Sequence, residues 1–103
     1  MMESLPLLNI SWNQLTSLPI ELKKSPSLGW LKINHNAFKE FPEVLYQMPQ
    51  LEKLYIGNNP IKRIEDRISN LYQLSWLRLY ETKLADKRGE LRILLLHCRF
   101  DHQ

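Results

Sequence analysis

The stretch Leu28-Gly29-Trp30-Leu31-Lys32-Ile33-Asn34-His35-Asn36-Ala37-Phe38 decides the fold. Leu31 and Ile33 alternate with Trp30, Lys32 and Asn34, the period of a strand with one buried face. Asn36 follows, carrying both donor and acceptor groups where the chain must turn. The same spelling recurs along the chain. Leu5, Leu28, Leu51 and Leu74 are spaced by 23 residues. Leu8, Leu31, Leu54 and Leu77 follow in step, then Ile10, Ile33, Ile56 and Leu79. Asn13, Asn36 and Asn59 come next, with Thr82 in the fourth copy, and then Leu15, Phe38, Ile61 and Leu84. A fixed period of this kind is the signature of a stacked repeat.

The second half of each unit is also patterned. Leu18-Pro19 and Phe41-Pro42 recur, while Ile64-Glu65 and Lys87-Arg88 depart from the pair. Proline fixes φ and removes a donor, which suits entry into a 3₁₀ or extended arm. Leu22, Leu45, Ile68 and Leu91 close each unit as apolar plugs. One such strand cannot bury its own apolar side, whereas stacked copies form a parallel sheet over a continuous core.

The pattern L-x-x-L-x-L-x-x-N-x-L resembles the leucine-rich repeat family, in the 23-residue form whose second half begins L-P, over about residues 5–96. The resemblance implies an α/β solenoid, right-handed and curved, with a short parallel concave sheet and a convex side of 3₁₀, irregular or short helical turns. It predicts one domain over 1–103, with repeats at 5–27, 28–50, 51–73 and 74–96. Strands are expected near 8–10, 31–33, 54–56 and 77–79, and convex turns near 20–24, 43–47 and 66–70. Leu91, Leu94, Leu95 and Cys98 lie at helical spacing, so a helix over 89–98 is expected to cover the last repeat, within a capping segment of about 89–103. Thr82 offers only a hydroxyl, so the fourth turn is expected to be looser. Only four residues precede Leu5, which leaves the first strand edge near Met1, Met2 and Leu7 open to pairing. A fragment of a longer repeat protein and a small protein that self-associates through that edge both fit.

In this fold the strand residues facing away from the core line the concave surface. One column is Leu7, Trp30, Lys53, Trp76; the next is Asn9, Lys32, Tyr55, Arg78. A third is Ser11, Asn34, Gly57, Tyr80, with Trp12, His35, Asn58 and Glu81 at the margin. All three Trp of the protein fall in this set. Neighbouring strands lie about 4.8 Å apart, so Trp30 and Trp76 are expected roughly 10 Å apart with Lys53 between them. Trp, Tyr and Arg are the residue types enriched at interface hot spots. The candidate partner-binding residues are therefore Trp12, Trp30, Lys32, His35, Lys53, Tyr55, Trp76, Arg78 and Tyr80, with Asn13, Asn36 and Asn59 as structural residues. The bland alternative is a ladder in which rings and cations satisfy one another at about 0.5–1 kcal/mol per exposed contact. The expected ligand is a protein surface or extended peptide with acidic and apolar groups.

Composition narrows the alternatives. The chain of 103 residues has 14 Lys plus Arg against 11 Asp plus Glu, too mild a balance for a clustered nucleic-acid footprint. Single-stranded nucleic acid stacking on the same rings is the disfavoured alternative. The longest fully apolar run is Ile93-Leu94-Leu95-Leu96, too short for a membrane span, and no membrane partner is expected. No signal-peptide pattern opens the chain, so a cytoplasmic location is expected, although a leader removed before residue 1 would leave no trace. One Cys rules out an internal disulfide framework. His97, Cys98 and His102 match zinc spacings poorly, and Cys98 has no well-placed base. Asp66, Glu65 and Asp86 show no paired-carboxylate spacing, and three Gly cannot make a phosphate loop. Neither enzyme activity nor a cofactor or metal is expected.

Overall fold

The alternation around Leu8, Leu31, Leu54 and Leu77 resolves into parallel strands stacked one per turn of the chain. The computed structural model describes residues 5–84 and 88–101. Among these, five strands run in chain order across one sheet: β1 (Leu7–Asn9), β2 (Trp30–Lys32), β3 (Lys53–Tyr55), β4 (Trp76–Arg78) and β5 (Arg99–Asp101). All four pairings are parallel, and each sets Leu8, Leu31, Leu54, Leu77 and Phe100 opposite the next in a step of 23 residues. The strands begin one residue earlier than the alternation suggests. The ladder still continues beyond them, because Ile10, Ile33 and Ile56 donate to the carbonyls of Lys32, Tyr55 and Arg78 at 2.9, 2.9 and 3.0 Å.

The convex turns form 3₁₀ helices at Ile20–Lys24, Glu43–Gln47 and Asp66–Asn70, where the sequence places them. Each opens with its third N–H, from Leu22, Leu45 or Ile68, donating back to the carbonyl of Pro19, Pro42 or Glu65. Glu65 adopts φ −79° and ψ 161°, the extended entry that Pro19 and Pro42 adopt in the earlier turns.

The C-terminal expectation needs correction. The helix predicted over 89–98 is α1 (Arg88–Leu94), and the chain then turns into β5. α1 packs beside the Asp66–Asn70 turn, 23 residues earlier, and so continues the convex side. Leu91 and Leu95 face the core, while Leu94 and Cys98 pack against it partly buried. The helical spacing of these residues obscured the continuing period, which sets Phe100 opposite Leu77. Met1, Met2, Asp86, Lys87 and His102 lie outside the described residues.

Stacking sets the burial. Leu31, Ile33, Leu54, Ile56, Leu77 and Leu79 are fully covered beneath the sheet, with Phe38 and Ile61 on the flank and Leu45 and Ile68 from the convex side. Each such side chain contributes about 1.5–3 kcal/mol relative to an exposed one. The matching Leu8, Ile10, Leu15, Leu18 and Leu22 of the first turn are only partly buried, since among the described residues β1 pairs with β2 alone. The asparagines bind turn to turn. Asn59 Nδ2 donates to the carbonyls of Ile33, Ile56 and Gly57, and its Oδ1 accepts from the N–H groups of Asn36 and Phe38. Asn36 repeats this toward Ile10, Ile33 and Leu15. The Thr82 hydroxyl donates to the Leu79 carbonyl at 2.9 Å.

Candidate functional site

Three-residue strands present their first and third side chains on the concave face, so two columns stand side by side there. β2 carries Trp30 and Lys32, β3 carries Lys53 and Tyr55, and β4 carries Trp76 and Arg78. Ring and cation alternate along each column and swap between columns. The result is a checkerboard in which rings touch rings diagonally, in a zigzag from strand to strand. Tyr55 meets Trp30 and Trp76 edge-on, with centroids 5.5 Å apart in both cases and planes at 71° and 70°. Such T-shaped pairs add about 0.5–1.5 kcal/mol beyond their burial.

The cations fill the other squares. Lys53 Nζ lies 4.6 Å from the Trp30 ring and 5.6 Å from the Trp76 ring. Lys32 Nζ lies 5.8 Å from Tyr55. The Arg78 guanidinium sits between Tyr55 at 4.7 Å and Tyr80 at 4.9 Å. Neither Lys32 nor Lys53 lies in an ion pair with a described residue. Tyr55, enclosed by its neighbours, is 8% exposed and forms the floor of the array. Trp30, Lys32, Lys53, Trp76, Arg78 and Tyr80 are partly exposed around it. The Trp30 Nε1 donor is buried without a hydrogen-bond partner.

Glycine makes room for the last ring. A Cβ on Gly57 would meet the Tyr80 carbonyl oxygen at 2.7 Å and its ring at 3.4 Å, so only glycine lets Tyr80 lie against the neighbouring strand end. The sequence missed one member of the array, Arg99 of β5, whose guanidinium lies 4.5 Å from the Trp76 ring. The signal was present, since Arg99 falls 23 residues after Trp76.

Trp12 and His35 form a separate pair on the margin, stacked at 3.5 Å with planes 9° apart. Trp12 is 73% exposed, the most exposed of the large aromatic candidates. Trp12, His35, Asn58 and Glu81 all take the left-handed conformation, with φ of 61°, 57°, 54° and 56°. The turn after each strand takes that conformation, and of these four residues Asn58 and His35 are of types enriched there, whereas Trp12 and Glu81 are not.

Cys98 is a partly buried free thiol. Burial pushes its thiol up to about 12, only partly countered by a backbone hydrogen bond from Leu77, so it stays protonated near neutrality. Among the described residues no group of His, Cys, Asp and Glu is arranged to hold a metal ion, and no helix is long and apolar enough to cross a membrane.

The repeat register and the asparagine ladder together define a leucine-rich-repeat protein, and the solved structures that the chain resembles are leucine-rich-repeat proteins. A leucine-rich-repeat protein of Leptospira interrogans superposes with a TM-score of 0.85 at 30% identity, over 93% of this chain and 25% of that one. The internalin InlF of Listeria monocytogenes superposes with a TM-score of 0.75 at 25% identity, over 93% of this chain and 27% of that one. The functional domain of InlJ from the same organism, which includes a cysteine ladder, shares the fold at 18% identity, with a TM-score of 0.54 over 95% of this chain. The chain thus spans about a quarter of the length of each of these three structures. No protein-family model matches the chain, and no curated protein matches it.

Proposed function

We propose that the chain is a non-enzymatic interaction module whose concave array binds an acidic, partly apolar protein surface or extended peptide. The likeness to leucine-rich-repeat proteins supports an interaction module in general. The choice of face rests on one observation: Lys32 and Lys53 stand among aromatic rings with no carboxylate partner from the described residues. A ligand carboxylate reaching Lys53 meets a cation between two indole rings, where partial exclusion of water strengthens the attraction. Trp30 and Trp76 supply the apolar contact, and rigid aromatics lose little side-chain entropy on binding.

Single-stranded nucleic acid fits the array less well. Bases need open ring faces. Here Tyr55 is nearly covered, and Trp76 already carries Lys53 on one contact and Arg99 on another. Self-association through the β1 edge is the second reading, favoured by the partly buried Leu8, Ile10, Leu15, Leu18 and Leu22 behind that edge.

The test is a quantitative pull-down from the source cell's lysate with the wild-type chain and a Trp30→Ala, Trp76→Ala variant, both confirmed folded by circular dichroism. A protein retained by wild type and lost by the variant supports the concave face. Equal recovery on both overturns it, and recovery of the chain itself alone favours the edge.

A further inference from the structure

We propose a second docking surface, independent of the concave face: a groove on the flank of the solenoid that takes an acidic, partly apolar peptide segment of a partner protein. The groove is open to solvent along its length and has a volume of about 870 Å³. That is within the range of roughly 300–1,000 Å³ typical of ligand clefts. It runs across the first three turns, between the asparagine corners and the convex 3₁₀ helices. Phe41, Pro42, Val44 and Tyr46 form its buried lining, and Leu18 and Ile20 its more open apolar end.

Charge identifies the occupant. Lys39, Lys62 and Arg63 line the groove and are exposed. Lys39 and Lys62 occupy the same place in successive turns, and the N–H of Lys62 donates to the Lys39 carbonyl at 3.4 Å. Like charges set directly side by side repel. None of the three cations lies in an ion pair with a described residue.

The lining acids Glu43 and Glu65 offset them only in part, because the two share one arginine and keep a single net negative charge between them. Arg67 grips Glu43 with two donors, Nη1 at 2.6 Å and Nη2 at 2.7 Å, and reaches Glu65 through Nε at 3.1 Å. The Glu43 carboxyl is held below its ordinary value chiefly by the Arg67 hydrogen bonds, so it stays ionised and committed to that arginine. Arg67 also lies 4.3 Å from the Tyr46 ring, which fixes this wall. Of the lining charges outside that cluster, Glu40 is the sole acid against Lys39, Lys62 and Arg63. The groove is therefore apolar at its base and net positive along one rim. Carboxylates on an extended segment would answer the rim, and an apolar side chain would occupy the Leu18–Ile20 end.

The test is selection of a random linear peptide library, displayed on phage, against three folded proteins: wild type, Lys39→Glu with Lys62→Glu, and Trp30→Ala with Trp76→Ala. The expected result is a set of acidic peptides with apolar residues whose affinity falls about tenfold or more in the lysine variant, persists in the tryptophan variant and weakens with salt. Selection of basic or purely apolar peptides overturns the proposal. So does the absence of any peptide class that tolerates the tryptophan variant and is weakened by the lysine variant, since a class lost only in the tryptophan variant belongs to the concave face. Because the tryptophan variant is scored in parallel, failure of the flank and failure of the concave face are separately visible.

Discussion

The N–H of Glu65 donates to the Tyr46 hydroxyl at 2.9 Å, a bond that exists only because the third turn lacks the proline of the first two. Tyr46 is almost fully buried, and burial raises its hydroxyl above the ordinary phenol range. An unpaired buried polar group costs about 1–3 kcal/mol. Glu65→Pro restores the repeat's usual residue, and its φ of −79° suits proline. It should nonetheless destabilise by about 1–2 kcal/mol, because the Tyr46 hydroxyl loses its donor. Adding Tyr46→Phe should recover most of that loss. Urea unfolding of both single variants and the double closes the cycle, and strict additivity would show that the bond contributes nothing.

The asparagine ladder should weaken toward the first turn. Asn59 is 1% exposed and serves three carbonyls and two N–H groups. Asn13 is exposed and donates to the carbonyls of Ile10 and Ser11. Asn59→Ala should cost about 3 kcal/mol or more, and Asn13→Ala about 1 kcal/mol or less. Denaturation midpoints compare them directly. Equal losses would mean that burial does not set the strength of these bonds.

The left-handed turn after each strand offers a stabilising substitution. Glu81 holds φ 56° with an exposed side chain, at a cost that glycine would avoid. Part of the gain is offset by the greater freedom of glycine in the unfolded chain. Glu81→Gly should stabilise by about 0.5–1 kcal/mol, whereas Asn58→Gly should change little, because asparagine already tolerates φ 54°. Thermal melts of the two variants decide it, and a destabilised Glu81→Gly would place some other contact of that side chain above the strain.

Alkaline pH should loosen the fold through Cys98. Its thiol is raised from an ordinary 9.0 to about 12 in the folded protein. Below pH 9 both states keep the proton and stability is unaffected. Between about 9 and 12 the unfolded chain loses it while the folded chain retains it, so stability falls as pH rises. Cys98→Ala should flatten that decline, leaving the contribution of Tyr46, which begins above its ordinary value of 10.0. Iodoacetamide should label native Cys98 slowly at neutral pH and unfolded Cys98 faster. Rapid native labelling would overturn the assignment of a protonated, covered thiol.

The solenoid was legible because Leu31, Ile33 and Asn36 recur with no gap, and a residue's column then follows from counting. That counting places Trp30, Lys53 and Trp76 side by side, as β2, β3 and β4 do. It failed at the end, where Thr82 replaces asparagine and Leu91, Leu94, Leu95 and Cys98 imitate a longer helix, so β5 and Arg99 went unread. Spacing also could not rank exposure. Tyr55 looks equivalent to Lys32 and Arg78, yet its neighbours lean over it. The flank groove depends on Arg67 reaching Glu43 in the preceding turn, a choice among nearby partners that periodicity does not encode.

Each strand pairs only with the strand before and after it, and the first turn packs its apolar residues least completely. Mechanically this is a stack of coupled springs with one soft end. Tension applied between Leu5 and Phe100 would not rupture the sheet at once. It would strip the turn around Leu8 and Leu22 first, lengthening the molecule by one repeat while the turns around Leu31, Leu54 and Leu77 stayed closed. The sheet across β2, β3 and β4 would thus stay whole after the first yielding event, and the chain would pay out length under load while its central turns held.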